Sequence, residues 1–149
     1  MNVCKVNYNI VEFLVETTLA KLRGKGVKAD YIVGIGRGGL IPATLMGYSL
    51  GLPVLNFGVA SYKDKQRTNK FDIYQDIDFS KLKPDSRLLV VDDICDTGNT
   101  FAAFRALYKG NIKQCVYVSL FAKESSELYV DFYGATVNED TWLSFPWDK

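Results

Sequence analysis

Residues 88–100, Leu-Leu-Val-Val-Asp-Asp-Ile-Cys-Asp-Thr-Gly-Asn-Thr, constrain the fold more than any other stretch of the chain. Four apolar residues predict a buried strand, which we expect the adjacent carboxylates of Asp92 and Asp93 to end. A turn containing Asp96 follows, and the residues from Thr97 onward predict the start of a helix. In a parallel α/β sheet, ligands bind beyond the carboxyl ends of the strands. The helix start offers unpaired amides and a partial positive charge, so the stretch predicts a phosphate site.

The acid pair at the end of this strand suggests a second ligand beside the phosphate. Two neighbouring carboxylates can hold a sugar diol or a magnesium ion, because hard oxygen ligands suit that cation. The simpler interpretation is a strand, a turn and a helix with an acidic N-cap, where Asp and Thr are favoured in any case. That interpretation does not explain why two acids close an apolar strand, so we prefer the ligand site.

A glycine-rich turn earlier in the chain predicts a second anion site. An apolar strand at residues 31–35 is followed by Gly36-Arg37-Gly38-Gly39, and a helix is predicted from Leu40. Glycines let the backbone approach an anion closely, and the Arg37 guanidinium carries a permanent planar charge suited to phosphate oxygens. Alone, the pattern is a weak signal and more often indicates just a tight turn. Together with the first stretch, it favours an extended site for a phosphorylated ligand.

The remaining elements alternate between strand and helix, which predicts a central parallel sheet flanked by helices. The predicted segments are a helix over about 10–23, a strand over 54–59, extended structure over 71–74, a helix over about 99–108, a strand over 115–122 and extended structure over 129–137. Residues 61–70 are polar and cationic. They predict either a surface loop or a lid, in which Lys65 and Arg67 would meet ligand charge.

Composition excludes several function classes. The chain has no histidine, which removes Ser-His-Asp and Cys-His catalysis and histidine-based zinc sites. The net charge of +1 argues against a general nucleic-acid binder. No apolar run is long enough to span a membrane. Three cysteines without metal-site spacing favour a reducing, cytoplasmic setting. At 149 residues we expect a single domain, 1–149.

The chain resembles the type I phosphoribosyltransferases. The resemblance rests first on the hydrophobic strand, the two acids and the Asp-Thr-Gly-x-Thr turn. It extends to Phe-Ala-Lys at 121–123, Asp-Thr-Trp at 140–142 and Pro-Trp-Asp at 146–148, which are similar to the xanthine-guanine branch of that family. Gly36, where that branch usually has serine, and Asn99, where it has glycine, depart from its pattern.

The resemblance implies an enzyme of purine salvage that transfers the phosphoribosyl group from phosphoribosyl pyrophosphate (PRPP) to a 6-oxopurine. The residues implied to bind PRPP are Gly36, Arg37, Gly38, Gly39, Arg67, Asp92, Asp93, Asp96, Thr97, Gly98, Asn99 and Thr100. Mg²⁺ is the implied cofactor, reached by Asp93. We assign Asp96 as the general base that accepts the purine N7 proton.

The same resemblance implies that the C-terminal part, about 123–149, forms a small hood over the base. Trp142 would stack on the purine, Lys123 would donate to its 6-oxo oxygen, and the backbone near Leu143 would contact the 2-position. A homo-oligomer, dimer or tetramer, is implied, and no nucleic-acid partner is expected. Two alternatives remain open: a PRPP-binding regulator that binds RNA through another surface, and a transferase for another acceptor base.

Overall fold

The chain folds into an α/β protein built on a central sheet. The structure is a computed structural model, which describes residues 2–63, 69–108 and 112–148. Three α-helices are present in this part of the chain: α1 (Tyr8–Gly24), α2 (Leu40–Leu50) and α3 (Asn99–Leu107). The strands are β1 (Asn2–Lys5), β2 (Tyr31–Gly36), β3 (Val54–Lys63), β4 (Asn69–Gln75), β5 (Ser86–Cys95), β6 (Ile112–Lys123), β7 (Phe132–Val137) and β8 (Thr141–Ser144). None of the described helices is both long and apolar enough to cross a membrane.

Six strands form the main sheet in the order β4-β3-β2-β5-β6-β7. All neighbours pair in parallel except β3 and β4, which form an antiparallel edge. From β2 the chain moves outward to β3, whereas from β5 it moves outward to β6 on the other side. The crevice between the ends of β2 and β5 is therefore the topological switch point, where open α/β sheets bind ligands.

Two hydrophobic cores cover the two faces of this sheet. Helices α1 and α2 pack on one face, with Leu19 and Met46 among the fully buried side chains. Helix α3 packs on the other face through Phe101 and Phe104, where the Phe104 ring meets Phe57 edge-on at 5.1 Å between centroids. Fully burying one such side chain stabilises the fold by about 1.5–3 kcal/mol. These layers fix the strand ends that carry the polar residues.

Helix α1 shows how local sequence sets these elements. The Asn7 side chain accepts from the Ile10 amide at 2.9 Å and so caps the first turn. Its buried residues recur at helical spacing: Val11, Leu14, Val15, Thr18, Leu19 and Leu22. The helix ends at Gly24. The expected helix over about 10–23 is confirmed, with about one residue added at its C-terminus and two at its N-terminus.

The central strand is longer than the sequence indicated. We expected Asp92 and Asp93 to end it, but β5 continues to Cys95. The reason is its neighbour, because β6 pairs with β5 beyond the acids, with Ile94 opposite Phe121 and Cys95 opposite Ala122. The two carboxylates thus belong to a strand held on one side by a paired neighbour.

Three further features differ from the sequence interpretation. Strand β1 was not predicted, and it pairs in parallel with β8 as a separate two-stranded sheet. The expected extended segment 129–137 begins only at Phe132, since Glu124–Tyr129 forms a 3₁₀ helix. Residues 61–63 and 69–70 belong to the paired strands β3 and β4 rather than to a loop. The lid interpretation of Lys65 and Arg67 falls on residues 64–68, outside the described part of the chain.

Candidate active site

The turn after β5 forms a small cavity at the start of α3. Gly98 immediately precedes the helix with φ +84°, a left-handed conformation that favours glycine. A Cβ at this position would also lie 2.6 Å from the Tyr129 ring, so glycine is required on two counts. The Asn99 amide donates to Thr97 Oγ1 at 3.2 Å. Asn99 is the first residue of α3, and the left-handed backbone of this turn lies at Gly98.

This cavity has a volume of about 180 Å³ and a charge pattern suited to a phosphate. Its lining residues are Asp92, Asp93, Ile94, Cys95, Asp96, Thr97, Gly98, Thr100 and Phe101. The first turn of α3 opens into it, which brings amide donors and the positive end of the helix dipole to the ligand. Of the residues predicted to hold the phosphate, Thr97, Gly98 and Thr100 line this cavity and Asn99 does not, while Asp96 and Thr97 are exposed.

The acid pair is ordered by its own backbone. The Asp93 amide donates to Asp92 Oδ1 and the Ile94 amide donates to Asp93 Oδ1, both at 2.8 Å. Burial raises the pKa of Asp92 well above its usual range, and the charge of Asp93 raises it further. Burial also raises the pKa of Asp93, and the nearby Asp148 charge adds to this effect. Two partly dehydrated carboxylates side by side form a site that favours cation or hydroxyl donors.

The donor set at the acid pair fits magnesium. In the described part of the chain no three acid or thiol side chains converge to form a complete metal site. Mg²⁺ does not need one, because it keeps several waters and binds through one or two carboxylates together with substrate phosphates. Asp93 and its neighbour Asp92 supply hard oxygens of this kind beside the phosphate cavity.

The glycine-rich turn packs directly against the acid pair. A Cβ on Gly39 would lie 2.5 Å from the Val91 carbonyl oxygen and 2.7 Å from that of Ile35. A Cβ on Gly38 would lie 2.2 Å from Asp93 Oδ2. Real Cβ atoms do not approach so closely, so the backbone carbonyls require glycine at position 39, whereas a Cβ at position 38 would displace the Asp93 carboxylate. Arg37 lies exposed between them and the mouth of the site.

The glycine-rich turn and the turn after β5 line the same cavities, so the two turns form one continuous surface. A cavity of about 160 Å³ is lined by residues of both: Ile35, Gly36, Arg37, Gly38, Val59, Phe71, Asp92 and Thr100. On the other side of the turn, Arg37, Gly38 and Asp93 also line an open cleft of about 1060 Å³. We call residues 36–39 and 92–100 the phosphate edge.

A cavity of about 190 Å³ adjoins the phosphate edge and contains the predicted purine-binding residues. Its lining residues are Asp93, Ile94, Asp96, Lys123, Thr141, Trp142, Leu143, Phe145 and Asp148. We call Lys123 and residues 138–148 the base side. Trp142 is 59% exposed, so its ring is available at the rim of this cavity rather than packed in the core.

The pairing of β8 with β1 sets which backbone groups face the base side. The Asn2 amide donates to the Asp140 carbonyl and the Val6 amide to the Ser144 carbonyl. In a parallel ladder, every second residue of a strand hydrogen-bonds to a given neighbour. On β8, the even-numbered residues therefore form the backbone hydrogen bonds to β1. The amide and carbonyl of Leu143 therefore point away from β1, on the side expected to contact the base.

Lys123 is nearly buried, and its ammonium holds the turn before β8. Nζ donates to the carbonyl oxygens of Asn138 and Glu139 at 3.3 Å each, and to that of Thr141. An ammonium has three protons, so these contacts use all of them. Donation to a purine 6-oxo oxygen remains a prediction, and it would require Lys123 to exchange one of the two longer contacts.

Two residues of the site were not identified from the sequence. Asp148 lines both the large cleft and the base-side cavity, and its Oδ2 accepts from the Phe145 amide at 2.9 Å. Ser126 is buried in the 3₁₀ helix. Its hydroxyl donates to the Asp96 carbonyl and so holds the turn after β5 in place. The Pro-Trp-Asp ending was a signal for Asp148, but nothing in the sequence distinguished Ser126.

The fold and site define a class of protein: an α/β domain with a cavity suited to a phosphate at its switch point and an adjoining pocket lined by Trp142 and Phe145. The family model described as phosphoribosyl transferase domain matches residues 7–148. Because that match covers nearly the whole chain, the chain belongs to the phosphoribosyltransferase family. The resemblance noted in the sequence and the predicted fold class are both confirmed.

Individual relatives narrow the comparison. A xanthine-guanine phosphoribosyltransferase of Idiomarina loihiensis is 32% identical over 118 residues, covering 78% of this chain and 70% of the relative. A purine phosphoribosyltransferase structure from Pyrococcus horikoshii has a TM-score of 0.84 at 30% identity, covering 100% of this chain and 96% of the other. A hypothetical protein from Neisseria gonorrhoeae with bound ppGpp has a TM-score of 0.88 at 26% identity, covering 99% and 90%.

Proposed function

We propose that this protein transfers the phosphoribosyl group from PRPP to N9 of a 6-oxopurine, yielding a purine nucleoside monophosphate and pyrophosphate. The observation that carries the proposal is the shared wall between two cavities. Asp93 and Asp96 line both the phosphate cavity and the base-side cavity. A ribose phosphate in the first cavity and a base in the second would therefore meet at these carboxylates.

The phosphate edge supplies the contacts for PRPP. The first turn of α3 and the hydroxyls of Thr97 and Thr100 hold the 5-phosphate, and this anchors the reacting carbon for attack. Asp92 and Asp93 hold the ribose hydroxyls. The glycine-rich turn and Arg37 hold the pyrophosphate and stabilise its growing negative charge. Arg67 remains a predicted contact to the same group.

Magnesium fits beside Asp93, where it would neutralise charge on the pyrophosphate as it leaves. The protein itself keeps the carboxylate oxygens of Asp92 and Asp93 partly dehydrated, and backbone amides orient them. These oriented oxygens would hold Mg²⁺ as hard ligands, and the metal would displace the protons that the raised pKa values of Asp92 and Asp93 favour. Use of the metal with PRPP is general in the family, and the assignment to Asp93 is our proposal.

In the proposed reaction, the bond between C1 of the ribose and the pyrophosphate oxygen breaks, and pyrophosphate leaves with the electron pair. The purine N9 lone pair forms the new bond to C1. The purine must lose one proton, and Asp96 accepts it from N7. Asp96 is exposed at the turn and lines the base-side cavity, so its carboxylate can reach a base stacked there.

The base side favours a 6-oxopurine as acceptor. The Trp142 ring offers a stacking face. An ammonium only donates hydrogen bonds, so Lys123 suits an oxo group and not the amino group of adenine. Leu143 presents both an amide and a carbonyl, which would contact the 2-oxo group of xanthine or the 2-amino group of guanine. The Neisseria structure supports this class, because ppGpp carries a guanine base.

The direct test is pyrophosphate release measured with PRPP, Mg²⁺ and each free purine in turn. We expect release with guanine, xanthine or hypoxanthine and none with adenine or orotate. Release only with adenine or orotate would favour the alternative acceptor. No release with any base, together with an RNA gel shift that depends on PRPP, would favour the regulatory alternative.

Asp96→Asn tests the assigned base. We expect kcat to fall by about 10²–10⁴-fold, the usual contribution of a positioned general base, while titration calorimetry still detects PRPP binding. Asp76→Asn, at an exposed position outside the site, is the matched control and should retain kcat. An unchanged kcat in Asp96→Asn would remove this residue from the role.

We also propose that the protein is a homo-oligomer of the cytoplasm. Large apolar side chains are exposed on α1 and α2, namely Phe13, Leu45 and Tyr48. Such side chains suit contact with a second copy. All three cysteines are free, as expected in a reducing compartment. Sedimentation equilibrium would measure the mass, and a monomer would contradict the proposed assembly.

A further inference from the structure

The last residue of β2 has no side chain, and a side chain from the neighbouring strand fills that space. Gly36 is the last residue of β2, and Asn56 lies on β3 opposite Gly34. A Cβ at position 36 would lie 2.3 Å from Asn56 Oδ1 and 3.2 Å from its Cγ. The Asn56 amide therefore occupies the space that any side chain at position 36 would need.

The Asn56 amide is also placed as a ligand contact. Its Oδ1 is buried and has no hydrogen-bond partner among the described residues. A buried acceptor without a partner costs stability, so a hydrogen bond of Oδ1 within the fold is not what holds the amide in this orientation. Asn56 lines the cleft of about 1060 Å³ together with Arg37, Gly38 and Asp93.

The orientation of the amide sets which of its atoms lies farther from the turn. Of its three outer atoms, Oδ1 is nearest to the position of a Cβ on Gly36, and Nδ2 is farthest at 3.4 Å. The oxygen thus packs against the turn, and the amide nitrogen is the group that lies farther from it. An amide nitrogen has two donors and no acceptor, which is the chemistry that a phosphate oxygen requires.

We propose that Asn56 is a further substrate-positioning residue: its amide takes the place of the side chain that Gly36 lacks and donates to the pyrophosphate end of PRPP. This inference rests on the proposed function, because it assigns a contact to a substrate of that reaction. A side chain at position 36 and the amide of Asn56 exclude each other, because they cannot occupy the same space.

The test uses three variants of the full chain: Asn56→Ala, Gly36→Ala and the double variant. We expect Asn56→Ala to raise the KM for PRPP about tenfold, the loss of one hydrogen bond to a charged group, with the purine KM changed less than about twofold. Gly36→Ala should raise the KM for PRPP by at least as much, because its Cβ displaces the amide. The double variant should bind PRPP no worse than Asn56→Ala alone, so that the two effects are not additive.

Controls separate this inference from the proposed function. Asn9→Ala, at an exposed position on α1, should behave as wild type. Thermal unfolding of every variant detects a purely structural role, which would lower Tm or raise both KM values together and so overturn the inference. If wild type shows no heat with PRPP and Mg²⁺, the proposed function fails and this inference with it. If wild type binds PRPP and Asn56→Ala binds it equally well, or if the two substitutions are additive, this inference alone fails.

Discussion

The phosphate edge and the base side are built in different ways. The phosphate edge consists of two short runs of consecutive residues at the ends of neighbouring parallel strands, β2 and β5. The base side depends on residues far apart in the chain: β8 is held by β1, and the turn before it is held by Lys123. Local sequence therefore determines the first region, whereas tertiary pairing determines the second. Substitutions in the two regions should affect different substrates.

Among the substitutions that separate the two regions, the largest expected effect is at Gly39, within the phosphate edge. Gly39→Ala would push its Cβ against the fixed carbonyls of Ile35 and Val91. Overpacking of this kind costs about 1–3 kcal/mol, and we expect the KM for PRPP to rise about tenfold or more, because the turn must move. Steady-state kinetics and urea unfolding measure both effects.

Gly24→Ala is the matched control for this substitution, because nothing lies within 4 Å of its Cβ. It should retain wild-type kinetics and stability. If Gly39→Ala did the same, the close packing of turn and strand would have no functional importance.

The next effect concerns Lys123, on the base side. Lys123→Met would leave three backbone carbonyls without their donor, at a cost of about 1–3 kcal/mol. We expect the purine KM to rise about tenfold while the KM for PRPP changes less than about twofold. Lys113→Met, at an exposed position on the same strand, serves as control. Equal changes in both KM values would show that the two regions are not separable.

Trp142 tests the base side with little effect on stability, because its ring is exposed and contributes little to the core. Trp142→Ala should raise the purine KM several-fold, since loss of base stacking on an aromatic side chain costs about 1–3 kcal/mol. Trp142→Phe keeps a stacking face and should lie closer to wild type. Tyr48→Ala removes an aromatic ring that is 86% exposed elsewhere and should leave both KM values unchanged. A wild-type purine KM in Trp142→Ala would place the base elsewhere.

The smallest expected effect tests the support of β8 by β1. Cys4 lies opposite Leu143 in this ladder, and its side chain is exposed. Cys4→Pro removes an amide donor from the ladder, a loss of about 0.5–1.5 kcal/mol, and should raise the purine KM about two- to threefold without changing the KM for PRPP. Cys4→Ser keeps the amide and is the control. A change in both variants would implicate the thiol instead of the backbone.

This division also explains what could be predicted from the sequence. The turn at Asp96 to Thr100 and the turn at Gly36 to Gly39 were predictable because glycine, acid and helix-start patterns are local. Strand β1 was not, because all four of its residues are exposed and carry no hydrophobic alternation. The continuation of β5 to Cys95 depends on pairing with β6. Asn56 was missed because one polar residue in an apolar strand does not indicate its neighbour across the sheet.

The pairing of β1 with β8 has a consequence for how the chain is made. Residues Asn2 to Lys5 leave the ribosome long before their partners at Thr141 to Ser144, because every strand of the main sheet lies between them in the chain. The two turns of the phosphate edge and the short helix after β6 all precede β8 in the chain. Until β8 emerges, β1 has an open edge of the kind that other chains can pair with. Completion of the base-side cavity therefore waits for β8, which is made after every strand of the main sheet.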